Sequence, residues 1–176
     1  MVNKANIRLS YCGDLILLKD QVDDAYVSGG GYNFDKTLAN VKGVLGQSDL
    51  SIGVCEGPFA GEAVGYSNTN LHDGKKISLN FPDEFAAAIA KAGINLVTIS
   101  NNHILDKGIE GALRTREVLA SAGIRSVGFF ADDREYDQVK IFDVKGLKVA
   151  VLAYTYGCNY RESEDLLDER HVKVLL

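Results

Sequence analysis

Short apolar runs alternate with segments of helical periodicity along almost the whole chain. Runs rich in Ile, Val and Leu predict strands at residues 7–12, 51–55, 94–99 and 124–129. The first of these strands ends at Gly13-Asp14, the second ends at Glu56, and the third stops at the polar sequence that includes Asn101.

Amphipathic segments between these runs predict helices. Residues 34–45 carry apolar side chains at the period of an α-helix, namely Phe34, Leu38, Val41 and Leu45. Pro82 and the two acids after it open a second helix, because proline and acids are favoured in a first turn, and Gly93 closes it. A third helix is predicted over residues 108–122, where Gly123 ends it.

A hairpin and a charged segment complete the pattern. Residues 139–144 and 147–154 flank Lys145-Gly146, which predicts two antiparallel strands joined by a tight turn. The charged residues 161–170 are predicted to be helical. Strands that alternate with helices and then form a hairpin indicate an α/β fold with a largely parallel sheet, in one domain over residues 1–176. The longest irregular stretch, residues 57–79, directly follows Glu56, which favours a flap close to a site.

Composition narrows the function classes. The 176 residues are 46% hydrophobic, which suits a compact domain with a real core. A net charge of −5 and a pI near 5.2 argue against a nucleic-acid-binding surface. No apolar run is long enough to span a bilayer and no secretory signal is present, so we expect a soluble chain. Cys12, Cys55 and Cys158 are expected to be ordinary buried thiols.

Polar side chains follow three of the predicted strands where each strand ends: Asp14, Glu56, Asn101, Asn102 and His103. The carboxyl ends of neighbouring parallel strands meet at one edge of a sheet, where ligands bind in open α/β folds. Carboxylates, an imidazole and amide oxygens suit a divalent cation such as Mn, Mg, Zn or Fe. The sequence therefore predicts a metal site at this edge, where bound water would become a nucleophile near neutral pH.

Several of these residues also have a structural interpretation. Asp14 can be a turn or cap residue, and the polar segment around His103 can be a loop that only caps the next helix. Asp106, one helical turn beyond His103, can orient the imidazole or cap that helix. Arg114 and Arg116 on the helix can contact an anionic substrate, although a solvated face explains them more simply.

The chain resembles a known bacterial family through four groups of residues. These are Gly13-Asp14, the stretch from residues 48–50 to Glu56-Gly57-Pro58, Phe81-Pro82, and the Asn-Asn-His-Ile-Leu-Asp-Lys-Gly sequence at residues 101–108. In the same order they resemble the capsule synthesis protein CapA family of poly-gamma-glutamate biosynthesis, a branch of the metallo-dependent phosphatase-like superfamily. The resemblance runs through essentially the whole chain.

The resemblance implies a metallophosphatase-like α/β/β/α sandwich, with this chain as its N-terminal portion. It implies that Asp14, Glu56, Asn102 and His103 bind one or two divalent metals, with His103 and Asp106 in catalytic roles. The chain departs from the family because Val54-Cys55 replaces an Asn-Leu pair before Glu56. It also stops at Leu176, before later histidine motifs of the family, so we expect a fragment or strands supplied by a second copy.

The resulting expectation is a metal-dependent hydrolase or transferase domain of poly-gamma-glutamate capsule biosynthesis. One alternative is a non-catalytic module that binds polymer or partner proteins in a capsule synthase complex. Another is a metallophosphoesterase that acts on a phosphate ester, which rests on superfamily analogy. The expected partners are poly-gamma-glutamate or another anionic substrate, capsule synthase subunits and a second copy of the chain, with no nucleic acid. Family members are often membrane-anchored and extracytoplasmic.

Overall fold

A parallel four-stranded sheet forms the centre of the computed structural model, which describes residues 6–136, 138–159 and 173–174. The strands follow one another in the order β1 to β4: Leu9–Leu15, Leu50–Cys55, Leu96–Thr98 and Arg125–Val127. The predicted parallel α/β fold is therefore confirmed. Within the described part of the chain, no helix is both long and apolar enough to cross a membrane.

In the described residues, five α-helices connect or flank these strands: α1 (Lys19–Ala25), α2 (Ala39–Leu45), α3 (Asp83–Lys91), α4 (Gly108–Ser121) and α5 (Asp133–Tyr136). The predicted second and third helices are α3 and α4. Asp83 and Glu84 lie in the first turn of α3 as predicted, whereas Pro82 is its N-cap, one residue before that turn. The helix predicted over residues 34–45 begins only at Ala39. The backbone N–H of Asp35 instead bonds the side chain of Asn33, and a turn joins Thr37 to Phe34. The pattern missed α1 entirely.

Two small antiparallel pairs complete the described sheets. Strands β6 (Ile141–Val144) and β7 (Leu147–Ala150) form the predicted hairpin, with Lys145 and Gly146 at positive φ in its turn. Strand β5 (Phe129–Phe130) pairs with β8 (Lys173–Val174). The helix predicted over residues 161–170 lies outside the described residues.

The single strand predicted over residues 124–129 is wrong, because β4 and β5 are separate strands in different sheets. Gly128 lies between them with a φ of 112°, a conformation that other residues adopt only with strain. A Cβ atom at Gly128 would also come within 2.6 Å of the Cβ of Ser100. The chain therefore leaves the sheet at Gly128, because only glycine, which has no Cβ, can pass so close to the end of β3.

The two faces of the parallel sheet pack against different layers. Adjacent residues of β3 show this, because Val97 belongs to the large core that includes residues of α3 and α4, whereas Leu96 belongs to a smaller core. The smaller core also contains Val144, and Phe142 and Val149 pack against it, which places the β6–β7 hairpin on that face. Helices, parallel sheet and hairpin thus stack as layers of a metallophosphatase-like α/β fold.

Strand β1 carries an irregularity that changes the position expected for Asp14. We predicted that β1 ends at Gly13-Asp14, but the strand continues to Leu15. Its register on β2 shifts between Tyr11 and Asp14, where β1 has one residue more than its partner. As a result, Asp14 pairs with Val54. A bulge of this kind also changes the direction of the side chains that follow it.

Candidate metal centre

Three parallel strands bring their polar residues to one edge of the sheet. Asp14 belongs to one of the last residue pairs between β1 and β2, and Glu56 directly follows β2. The backbone N–H of Glu56 donates to the carbonyl of Leu15 at 3.2 Å, which continues the pairing beyond the strand end. As a result the Asp14 and Glu56 side chains are hydrogen-bonded to each other.

Glu56 binds a proton more tightly than an isolated glutamate. Burial is the main cause that raises the pKa of Glu56, to about 7, and the hydrogen bond and charge of Asp14 raise it further. The neighbouring His103 acts in the opposite direction, whereas Asp106 adds to the increase. The pKa of Glu56 therefore lies close to neutral pH.

His103 is oriented by Asp106. Its Nδ1 lies 2.6 Å from Oδ2 of Asp106, and the two side chains are only 12% and 4% exposed. The same carboxylate oxygen accepts the backbone N–H of Leu79 at 2.7 Å. A carboxylate on Nδ1 favours the tautomer with its proton there, which leaves the lone pair of Nε2 for a metal or a proton. The N-cap of α4 is Lys107, so Asp106 does not cap this helix.

The two asparagines before His103 have different surroundings. Asn101 is buried, and its amide donates to the carbonyl of Cys55 at 2.8 Å while its oxygen accepts the backbone N–H of His103 at 3.0 Å. It thus joins the end of β2 to the loop that carries His103. Asn102 is half-buried, and its Nδ2 donates to Oδ1 of Asn159 at 3.2 Å, which leaves its own amide oxygen for a cation.

Asn159 is the residue of this centre that the sequence analysis missed. Its Nδ2 lies 3.3 Å from Nδ1 of His103, and its φ is 54°. The signal that could have found it is the one used for Asn102, because Asn159 is a polar residue shortly after the predicted strand of residues 147–154.

The irregular stretch of residues 57–79 meets the site through its last residue, Leu79. Its other contacts are concentrated on the buried Asn80, whose side chain donates to the carbonyls of Gly61 and Gly65 and accepts the backbone N–H of Ala60. The backbone of Asn80 also bonds Ser67. Residues 60–67 of the stretch are therefore fixed by hydrogen bonds to Asn80.

The predicted ligands lie as two hydrogen-bonded pairs. Among residues 6–136, 138–159 and 173–174, no three or more His, Cys, Asp or Glu side chains form a group that could hold a metal ion. The pairs Asp14–Glu56 and His103–Asp106 nevertheless offer carboxylate oxygens and an imidazole nitrogen, and Asn102 adds an amide oxygen. By donor type these residues fit a divalent cation, which would have to displace the proton of the carboxyl pair.

The cysteines do not add to this donor set. Cys55 and Cys158 are buried and Cys12 is half-buried. Burial raises the pKa of Cys55 to about 12, so its sulfur stays a thiol rather than the thiolate that binds metals or attacks substrates. Cys55 is therefore an ordinary buried thiol, as expected.

Sequence comparisons identify related proteins. The sequence model of the family described as "Bacterial capsule synthesis protein PGA_cap" matches residues 8–173. The chain is also similar to the "Capsule biosynthesis protein CapA" of Bacillus anthracis, with 28% identity over 124 residues. That alignment covers 70% of this chain and 29% of the relative, so the chain spans less than a third of the relative's length.

The His103–Asp106 contact predicts a single imidazole tautomer. We expect nitrogen NMR of the neutral side chain to place the proton on Nδ1, because Asp106 accepts it there. In Asp106→Asn the amide no longer favours that tautomer, and the Nε2–H form should gain population. His72→Ala serves as a control that identifies the signals of an exposed histidine. A wild-type His103 found mainly as the Nε2–H tautomer would contradict the assignment.

The raised pKa of Glu56 predicts how stability changes with pH in the metal-free protein. Because the folded-state pKa lies above the ordinary value of 4.5, the protonated carboxyl stabilises the fold at low pH. This contribution decreases as pH rises from 4.5 through about 7. Urea unfolding in EDTA should therefore show that Glu56→Gln gains stability relative to wild type as pH increases over this range. Parallel pH profiles for the two proteins would disprove the coupling.

Proposed function

The chain belongs to the bacterial capsule synthesis protein family, and from this membership we propose that it is a metal-dependent hydrolase or transferase domain of poly-gamma-glutamate capsule metabolism. The observation that carries the proposal is the His103–Asp106 pair, which lies beside the carboxyl pair Asp14–Glu56. A glutamate with a perturbed pKa next to a buried, oriented histidine is typical of a reactive centre.

Asp14, Glu56, Asn102 and His103 are the residues that would bind the cation, which we expect to be Mn, Zn, Fe or Mg. When bound, a divalent cation supplies Lewis-acid activation to a water molecule or a substrate oxygen. The carboxylate oxygens carry the charge that such an ion requires, and Nε2 of His103 adds a borderline ligand. Asn102 contributes its amide oxygen because its nitrogen is engaged with Asn159.

The other residues of the centre position these groups. Asp106 keeps the proton of His103 on Nδ1, and Leu79 and His103 satisfy the buried Asp106 carboxylate. Asn101 fixes the backbone of His103 relative to the end of β2. Glu56, whose pKa is raised to about 7, would have to give up its proton when the cation binds.

A second candidate function is a non-catalytic module that binds polymer or partner proteins within a capsule synthase complex. The separation of the donors into two pairs, with no closed metal group in the described part of the chain, favours this candidate. The two functions differ in metal affinity, because only the first requires that the carboxyl pair give up its proton to a cation.

Metal binding tests the proposed function. Titration calorimetry of the dialysed 176-residue chain with Mn²⁺ or Zn²⁺, with elemental analysis, should show one or two bound ions. His103→Ala should weaken binding by about tenfold or more, because it removes a ligand. His72→Ala removes an exposed imidazole and should leave the affinity unchanged.

The absence of metal binding by the wild-type chain would reject the metalloenzyme and leave the binding module. Once metal is bound, activity assays distinguish the possible reactions. Hydrolysis or transfer of gamma-glutamyl bonds supports the proposal, whereas cleavage of a simple phosphate ester alone would assign a phosphoesterase instead.

A further inference from the structure

A cavity separate from the candidate metal centre lies along the edge of the parallel sheet. Its volume is about 470 Å³, within the range of ligand sites, and the consecutive residues 123–127, which include all of β4, form one wall. Strand β4 is the last strand of the sheet order, and no other described strand pairs with it on that side. The cavity therefore follows an edge strand, which is the shape that suits an extended chain rather than a compact ligand.

Three positively charged side chains and one acidic side chain line the cavity. Arg116, Arg125 and Lys140 contribute the positive charges, and Glu135 is the acidic residue among those that line it. The whole chain has a net charge of −5, so this lining is opposite in sign to the protein as a whole. The positive charges lower the pKa of the Glu135 carboxyl. Arg116 acts through a hydrogen bond and its charge, and Lys140 acts through its charge.

Arg125 is oriented before any ligand arrives. Its guanidinium carbon lies 4.7 Å from the centre of the Phe142 ring, and its Nε donates to the carbonyl of Asn95 at 3.3 Å. The side chain remains exposed, so part of the guanidinium faces solvent. Stacking on an aromatic ring reduces the entropy that an arginine loses when it binds a planar anion. Arg116 is paired with Glu135 at 2.9 Å, so Arg125 and Lys140 are the cations most available to a ligand.

We propose that this cavity binds an extended chain of carboxylates, with Arg125 and Lys140 as its principal anion contacts. A guanidinium fork matches a carboxylate in two parallel hydrogen bonds, and an extended backbone can add to the open edge of β4. The identity of the chain as capsule polymer rests on the proposed function. The site itself does not, because none of the candidate metal ligands lines the cavity.

The test measures binding of a gamma-linked glutamate hexamer to the full chain by titration calorimetry. We expect Arg125→Gln/Lys140→Gln to weaken binding by about tenfold, because two charged contacts are lost. The matched control is Lys75→Gln/Lys76→Gln, which makes the same change of charge at two exposed lysines outside the cavity and should change the affinity by less than about twofold. Wild-type protein that binds neither this hexamer nor its alpha-linked counterpart, or equal losses in the two double variants, would overturn the proposal.

Two further arms separate the ligand source and the two proposals. An alpha-linked hexamer distinguishes an acidic peptide from a capsule-type chain, and tighter binding of either hexamer supports a carboxylate site. A glutamine hexamer that binds as tightly as the glutamate hexamer would overturn it. His103→Ala should leave hexamer binding unchanged, so failure of the metal centre and failure of this cavity are distinguishable.

Discussion

The parallel register of β1, β2 and β3 is the constraint on which the candidate centre depends. Asp14 pairs with Val54, and Val54 pairs with Thr98, so the ends of the three strands are aligned. A slip of one residue in any strand would turn its side chains to the opposite face. The irregularity in β1 has the same effect locally, and it sets the position of Asp14 relative to Glu56.

Burial then determines the chemistry of the groups that the sheet brings together. Burial at this edge disfavours the ionised form of Glu56 and, together with the hydrogen bond and charge of Asp14, raises its pKa to about 7. The buried carboxylate of Asp106 is stabilised because both Leu79 and His103 donate to it. One constraint thus produces a glutamate with a raised pKa and an imidazole of fixed orientation.

The sequence predicted the parts of the structure that depend on local pattern. Apolar runs located β2 and β3, and Pro82 and Gly123 marked the ends of α3 and α4, because these signals act within a few residues. The break at Gly128 and the bulge in β1 could not be read in this way, since they reflect contacts with distant residues such as Ser100. For the candidate site, the strand-end rule brought Asp14, Glu56 and His103 to one edge, but only three-dimensional packing reveals Asn159. Whether these residues bind metal stays a prediction.

We propose that the two pairs act together as one metal centre. Anomalous X-ray diffraction from crystals of the chain soaked in Mn²⁺ would locate the ion itself. We expect an anomalous peak in contact with the carboxylate of Glu56 and Nε2 of His103, with the Asp14–Glu56 hydrogen bond broken. Crystals that bind no ion there, with the two carboxyl groups still hydrogen-bonded, would contradict it.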